Sequence, residues 1–208
     1  MNKGRLEAFS DGVFSIVITL LVFDIKVPMI PIPVSNADLW YHIGLLTPIF
    51  AVYFVTFAVI AVLWINHHFI FHSFAVAVDR RLNLMNLVYL MFVVFIPFSA
   101  RLLGEYPLHQ PAAIVYGVNL FIVVLLTNAM VKYITKRPEL YNRHLTRRIF
   151  NQASFRATLS LACYTLGILF TFLSGPVSIS FYAFPVVFNF IPGSLDLAEK
   201  IFRFKLDQ

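Results

Sequence analysis

Runs of about twenty predominantly apolar residues recur along this chain, and no other feature limits its fold as strongly, because a helix of that length matches a bilayer's hydrocarbon thickness. Six such windows are read, at residues 8–27, 45–71, 82–103, 112–134, 157–174 and 177–197. With 60% hydrophobic and only 12% charged residues in 208, the chain has too little polar surface to hold those runs in water. The expected fold class is all-α, a polytopic integral membrane bundle of six transmembrane helices. Residues 1–208 are read as a single domain.

A net charge of +6 would suggest nucleic acid in a soluble protein, but here the basic residues follow topology. With both termini cytoplasmic, 14 of the 16 fall on inside segments, among them Arg80, Arg81, Arg143, Arg147, Arg148, Lys200, Arg203 and Lys205. Only Lys26 and Arg101 fall outside. That is the positive-inside pattern, and an odd number of spans would spoil it. The expected setting is the cell membrane, with the lipid bilayer as partner and no nucleic acid. The first window could be mistaken for a cleaved leader, yet it carries Asp11 and Asp24 and lacks a small-residue cleavage site.

Between the windows, Pro28, Pro31 and Pro33 predict an extended outer loop, because proline has no N–H to donate. Asp38 is expected to cap the second helix, and residues 132–156 are expected to form a helical, basic connector. Gly175 and Pro176 mark a short hairpin that makes the last two helices antiparallel neighbours. Cys163 is the single cysteine, so no intrachain disulfide or cysteine-rich metal cluster is available.

The first window holds polar groups that a plain anchor does not need. Arg5, Phe9, Ser10 and Asp11 stand at its entrance, with Ser15 and Thr19 inside it and Asp24 at its end. At 100° per residue, Ile16, Leu20 and Phe23 form a stripe on one face, with Ser15 and Thr19 beside it. Two readings stay open. The hydroxyls bond to carbonyls one turn back while the apolar residues face lipid or neighbours, or the face lines a symmetric pore with an apolar constriction and hydroxyls that replace part of an ion's hydration. Asp11 near hydrocarbon needs a partner, and Arg5 is in reach. Asp24 is either a surface acid beside Lys26 or a cation-concentrating ring at an outer pore mouth.

Farther on, Trp64, His67, His68 and His72 occupy the polar end of the second window. His68 and His72 share a face, but with no carboxylate or thiolate beside them a hydrogen-bonded cluster is favoured over a metal site. Asn83, Asn86, Asn119 and Asn128 are placed to join helices. No phosphate-binding loop, nucleotide fingerprint, nucleophile elbow or HExxH motif occurs, so neither an enzyme nor a cofactor is expected. A proton-coupled ion carrier that uses the intramembrane acids and histidines stands as the alternative to a channel.

The sequence Arg5-x-x-x-Phe9-Ser10-Asp11, followed by GVFSIVITLLVFDIKVP and, later, by WINHH at 64–68, resembles the endolysosomal potassium channel family, transmembrane protein 175, in its prokaryotic branch. The resemblance is dense over the first window and looser beyond it. It implies a six-helix subunit, four copies to a pore, and passive, potassium-selective permeation without a backbone-carbonyl filter. It places the constriction at Ile16, Leu20 and Phe23 and the hydroxyl layer at Ser15 and Thr19. Arg5, Phe9, Ser10, Asp11, Trp64, His67 and His68 are assigned to the scaffold. Phe23 departs from the family's commoner small aliphatics at that level.

Overall fold

The computed structural model describes residues 2–191 and 193–195, and its architecture is all-helical. Helix α1 (Lys3–Leu20) tightens into a 3-10 turn (Leu21–Asp24). It is followed by α2 (Asn36–Gly44), α3 (Thr47–Phe69, ending in a π turn, Ile70–Phe74) and α4 (Arg80–Val94). The remaining helices are α5 (Ile96–Glu105), α6 (Gln110–Thr135), α7 (Arg147–Phe170) and α8 (Gly175–Phe190).

Among the described residues, five helical stretches are long and apolar enough to cross a membrane: Lys3–Asp24, Thr47–Phe74, Arg80–Glu105, Gln110–Thr135 and Arg147–Phe170. The sixth window corresponds to α8, a shorter apolar helix of 16 residues. Residues 192, 196 and 197 of that window, and Lys200, Arg203 and Lys205, lie outside the described residues.

Local chemistry accounts for where the helices depart from the sequence expectations. Asp38 does not cap the second spanning helix; it is the third residue of the separate helix α2. There Ser35 Oγ accepts from the Asp38 N–H at 3.1 Å, and the Asp38 carboxylate accepts from the Ser35 N–H at 3.3 Å, a reciprocal capping box. The third window is one span but two helices. It breaks at Phe95, just before Pro97, whose missing N–H and ring interrupt the hydrogen-bond ladder.

The connector is also less helical than expected. Between α6 and α7, residues 136–146 run through turns and pair with the end of α3. The Val76 N–H donates to Leu140 O at 2.8 Å and the Asn142 N–H to Phe74 O at 2.9 Å. Pro138 favours this path because it has no N–H for a helix interior. Lys3 Nζ donates to Ala75 O at 2.9 Å, so the start of α1 is tied to the same end of the bundle.

At the head of α4, Asp79 accepts from the Leu82 N–H at 2.7 Å and from the Tyr133 hydroxyl. Burial alone would raise the Asp79 pKa, but these two hydrogen bonds and nearby Arg137 outweigh it and hold the carboxyl below its ordinary value. A depressed carboxylate stabilises the fold above its unfolded pKa and stops doing so as pH falls through the folded one. The expected outcome is a thermal midpoint that drops on acidification below about pH 4, and drops less in Asp79→Asn. Melting curves of the two proteins between pH 7 and pH 3 check it.

One hydrophobic core runs through the bundle, with Ile60, Phe71, Leu82, Val93, Leu120 and Ile134 almost wholly enclosed. Helices α7 and α8 pack most extensively on each other, as their short hairpin predicts. Tyr182 on α8 inserts against Gly117 of α6 and Gly167 of α7, and its hydroxyl donates to Ala113 O at 3.0 Å. A Cβ on either glycine would overlap the Tyr182 ring, so small residues here let three helices close around one aromatic. Gly117→Ala is expected to cost ~1–3 kcal/mol by overpacking, read as a lower melting temperature in detergent. Gly44→Ala, with open space at its Cβ, should melt like the parent.

Candidate functional site

Helix α1 has two faces of opposite character. Leu6, Ser10, Phe14, Val17 and Leu21, spaced by three or four residues, are buried against α3, α4 and α5. The other face carries Phe9, Ser15, Ile16, Thr19, Leu20 and Phe23, all exposed within the chain. Ile16 is 59% exposed, Leu20 46% and Phe23 74%. The residues expected to line a permeation path are thus gathered on one face that nothing in the described subunit covers.

The hydroxyls on that face are oriented by the helix itself. Ser15 Oγ donates to Asp11 O at 2.8 Å, and Thr19 Oγ1 donates to Ser15 O and Ile16 O at 2.8 and 2.9 Å. The two readings of these residues are therefore compatible. Each O–H proton is spent on a carbonyl, which leaves the oxygen's lone pairs directed off the helix, where they can only accept or coordinate. Such oxygens suit a cation and do not suit an anion.

Behind the open face lies a buried chain of hydrogen bonds. His67 Nε2 bonds Asn86 Oδ1 at 2.8 Å, Asn86 Nδ2 donates to Ser10 Oγ at 3.0 Å, and Ser10 Oγ donates to Leu6 O at 2.9 Å. Because Asn86 spends its amide N–H on Ser10, its oxygen must accept, and His67 is assigned the proton on Nε2. All donors then point the same way, from α3 through α4 to α1. Aromatic rings enclose His67: Tyr89 stacks on it at 5.5 Å, with Phe71 at 4.7 Å and Phe14 at 5.6 Å.

A second link sits nearer the surface, where Trp64 Nε1 donates to Asp11 Oδ1 at 2.9 Å. Asp11 therefore meets Trp64, and among the described residues no ion pair joins it to Arg5, which is exposed. Phe9 is also exposed, at 55%. His68 lies 6.0 Å from the Trp64 ring and stacks on His72 at 5.5 Å. Of the residues expected in the scaffold, the structure brings Ser10 together with His67, and Asp11 with Trp64 and its neighbour His68. It leaves Arg5 and Phe9 on the open side.

At the other end of α1, Asp24 pairs with Arg101 of α5 at 3.7 Å, and Arg101 also binds Glu105 at 3.0 Å. Asp24 thus joins an acid-base-acid row instead of standing alone or beside Lys26. Sequence reasoning misses Arg101 and Tyr89. The available signals are short-range: Arg101 and Glu105 at i, i+4, and Tyr89 one turn from Asn86 on the same face.

The fold and these sites define a polytopic, all-helical membrane protein whose first helix is anchored on one face and open on the other. The family model described as "Endosomal/lysosomal potassium channel TMEM175" matches residues 5–97. A potassium channel of Streptomyces collinus is 36% identical over 185 residues, covering 86% of this chain and 88% of the relative. Another, of Chamaesiphon minutus, is 37% identical over 180 residues, covering 83% and 88%. Among solved structures, a lysosomal potassium-selective channel TMEM175 homolog from Chamaesiphon minutus superposes with a TM-score of 0.77 at 34% identity, covering 89% of this chain and 95% of that one. The chain belongs to the TMEM175 family, which is named for an ion channel and not for an enzyme.

Proposed function

We propose that this protein is a passive, potassium-selective cation channel of a prokaryotic cell membrane, formed by four copies of the chain around an axis lined by α1. Each subunit is one domain of six spans, with α8 as the sixth and both termini cytoplasmic. The observation that carries this reading is the open face of α1, where the apolar row Ile16, Leu20, Phe23 runs beside the outward-facing oxygens of Ser15 and Thr19. Relatives named as potassium channels, at 36 and 37% identity, support the choice of ion.

In this arrangement the constriction and the anchor are separate parts of one helix. Rings of Ile16, Leu20 and Phe23 form a narrow apolar barrier that an ion crosses only when the rings admit water. The hydroxyl layer of Ser15 and Thr19 supplies oxygen ligands beside that barrier, in place of backbone carbonyls. Asp24, bound to Arg101, sits at the outer mouth with its charge partly balanced, so its attraction for cations is weaker than that of a free acid. On the inner side, Arg5, Phe9, Ser10, Asp11, Trp64, His67 and His68 hold α1 at a fixed angle and position. Arg5 and Phe9 do so across the boundary with the neighbouring subunit.

A cysteine scan tests the assignment of the face. A ring of thiolates facing an axis binds cadmium, a soft metal, whereas a single buried thiol does not present several ligands to one ion. Ile16→Cys is expected to create a potassium current blocked by micromolar-range cadmium, while Val17→Cys, buried in its own subunit, stays insensitive. Block at Val17→Cys and none at Ile16→Cys would reverse the assignment of the two faces.

A further inference from the structure

A cavity of about 380 Å³ opens between α3, α6, α7 and α8, away from the open face of α1. Its walls come from the last turns of α3, the second half of α6 and the first half of α7, which places it at the connector end of the bundle. Its volume is in the range of small-ligand sites, about 300–1,000 Å³. One wall is apolar, with Ile70, Val131 and Ile149, while Asn128 and Gln152 bring polar groups to it.

Among the described residues, Arg156 is the one charged side chain lining this cavity; it is half-buried, and no ion pair among those residues includes it. Its Nη1 donates to Asn189 Oδ1 at 2.9 Å, and Asn189 Nδ2 in turn donates to Pro185 O at 2.7 Å, so the guanidinium is held in place at the cavity wall. An arginine partly withdrawn from water within a spanning helix is costly unless something compensates its charge. The surrounding connector adds Lys132, Lys136, Arg137, Arg143, Arg147 and Arg148 against the single acid Glu139.

We infer that this cavity is a binding site for an anionic phospholipid, whose phosphate pairs with Arg156 and whose first acyl segment lies along the apolar wall. The guanidinium fork matches two phosphate oxygens at once. The inner leaflet, rich in anionic headgroups, lies at the level of a basic connector. A neutral detergent brings no anion to the guanidinium, and a zwitterionic lipid brings with its phosphate a choline cation that the basic connector repels, so only a lipid of net negative charge balances the site. The inference needs the connector end to face headgroups; it does not need the chain to conduct.

Native mass spectrometry of the full chain, purified in detergent and incubated with dioleoyl phosphatidylglycerol or dioleoyl phosphatidylcholine, tests this directly. The parent protein is expected to retain phosphatidylglycerol at least about five-fold better, the ratio expected from one basic contact. Arg156→Gln should erase the preference, and Arg143→Gln, an exposed arginine of the same connector, should keep it. Equal retention of the two lipids by the parent, or an unchanged preference in Arg156→Gln, would overturn the site. If Arg156→Gln does not elute as the parent does, Ala153→Phe, which fills the cavity from α7, decides. Loss of phosphatidylglycerol retention supports the site and undiminished retention overturns it.

Discussion

Replacing Ile16 with Asn is expected to raise potassium conductance by about ten-fold, which corresponds to removing ~1.4 kcal/mol from the permeation barrier. Symmetry makes a change of that size reachable. In the proposed tetramer, each subunit needs to contribute only ~0.35 kcal/mol for the sum to reach that figure. The amide replaces an apolar wall with donors and acceptors, so water enters the ring and an ion is not stripped there. Ile16 is 59% exposed in the subunit, and the substitution leaves its own core untouched. Bilayer currents from the parent and the variant, compared at equal protein, check the effect. A fall or no change in unitary conductance would mean that Ile16 does not line the path.

The second large effect concerns assembly and stability. Asn86→Leu removes the central member of the Ser10–Asn86–His67 chain and leaves a buried ring N–H and a buried hydroxyl oxygen without their partner. Each stranded group costs ~1–3 kcal/mol, so the expected loss is ~2–6 kcal/mol, enough to unfold a marginal bundle. Ser10→Ala should cost less, because it strands only the Asn86 amide. The check is thermal unfolding in detergent, followed by size-exclusion chromatography. A variant that melts and elutes like the parent would show that the network does not hold α1.

Much of this architecture is visible in the sequence because hydrophobic length is a blunt and reliable signal. Apolar windows reveal the spanning helices, and the FSD motif with its flanking stripe reveals which face of α1 is unusual. The faces themselves follow from the 3.6-residue repeat, since Leu6, Ser10, Phe14, Val17 and Leu21 all turn inward.

What the sequence does not reveal are choices made between helices. On a linear reading Arg5 is the partner in reach of Asp11, and only the packing of α3 on α1 brings Trp64, 53 residues away, to it instead. Asp24 has Lys26 two residues away, yet its partner Arg101 is far along the chain on α5. Helix ends were also hidden where competing signals met. Asp38 reads as a cap for a long helix until Ser35 claims it for a short one, and Pro138 redirects a connector toward residues 74–76.

If α1 conducts on one face and anchors on the other, as proposed, the two faces respond differently to substitution. Substitutions on the inward face should change stability and assembly, while those on the outward face should change conduction with little effect on melting. Ser15 and Thr19 are the sharpest case, since their hydroxyl protons are satisfied within the helix and their oxygens face outward. Loss of those oxygens should alter selectivity before it alters folding.

The most direct test of the central claim is a planar-bilayer recording of the purified full chain with unequal potassium and sodium on the two sides and no proton gradient. A passive potassium channel gives unitary steps whose reversal potential follows the potassium gradient and does not move when a proton gradient is then imposed. Folded tetramers that pass no current, or a flux that runs only with a proton gradient, would contradict it.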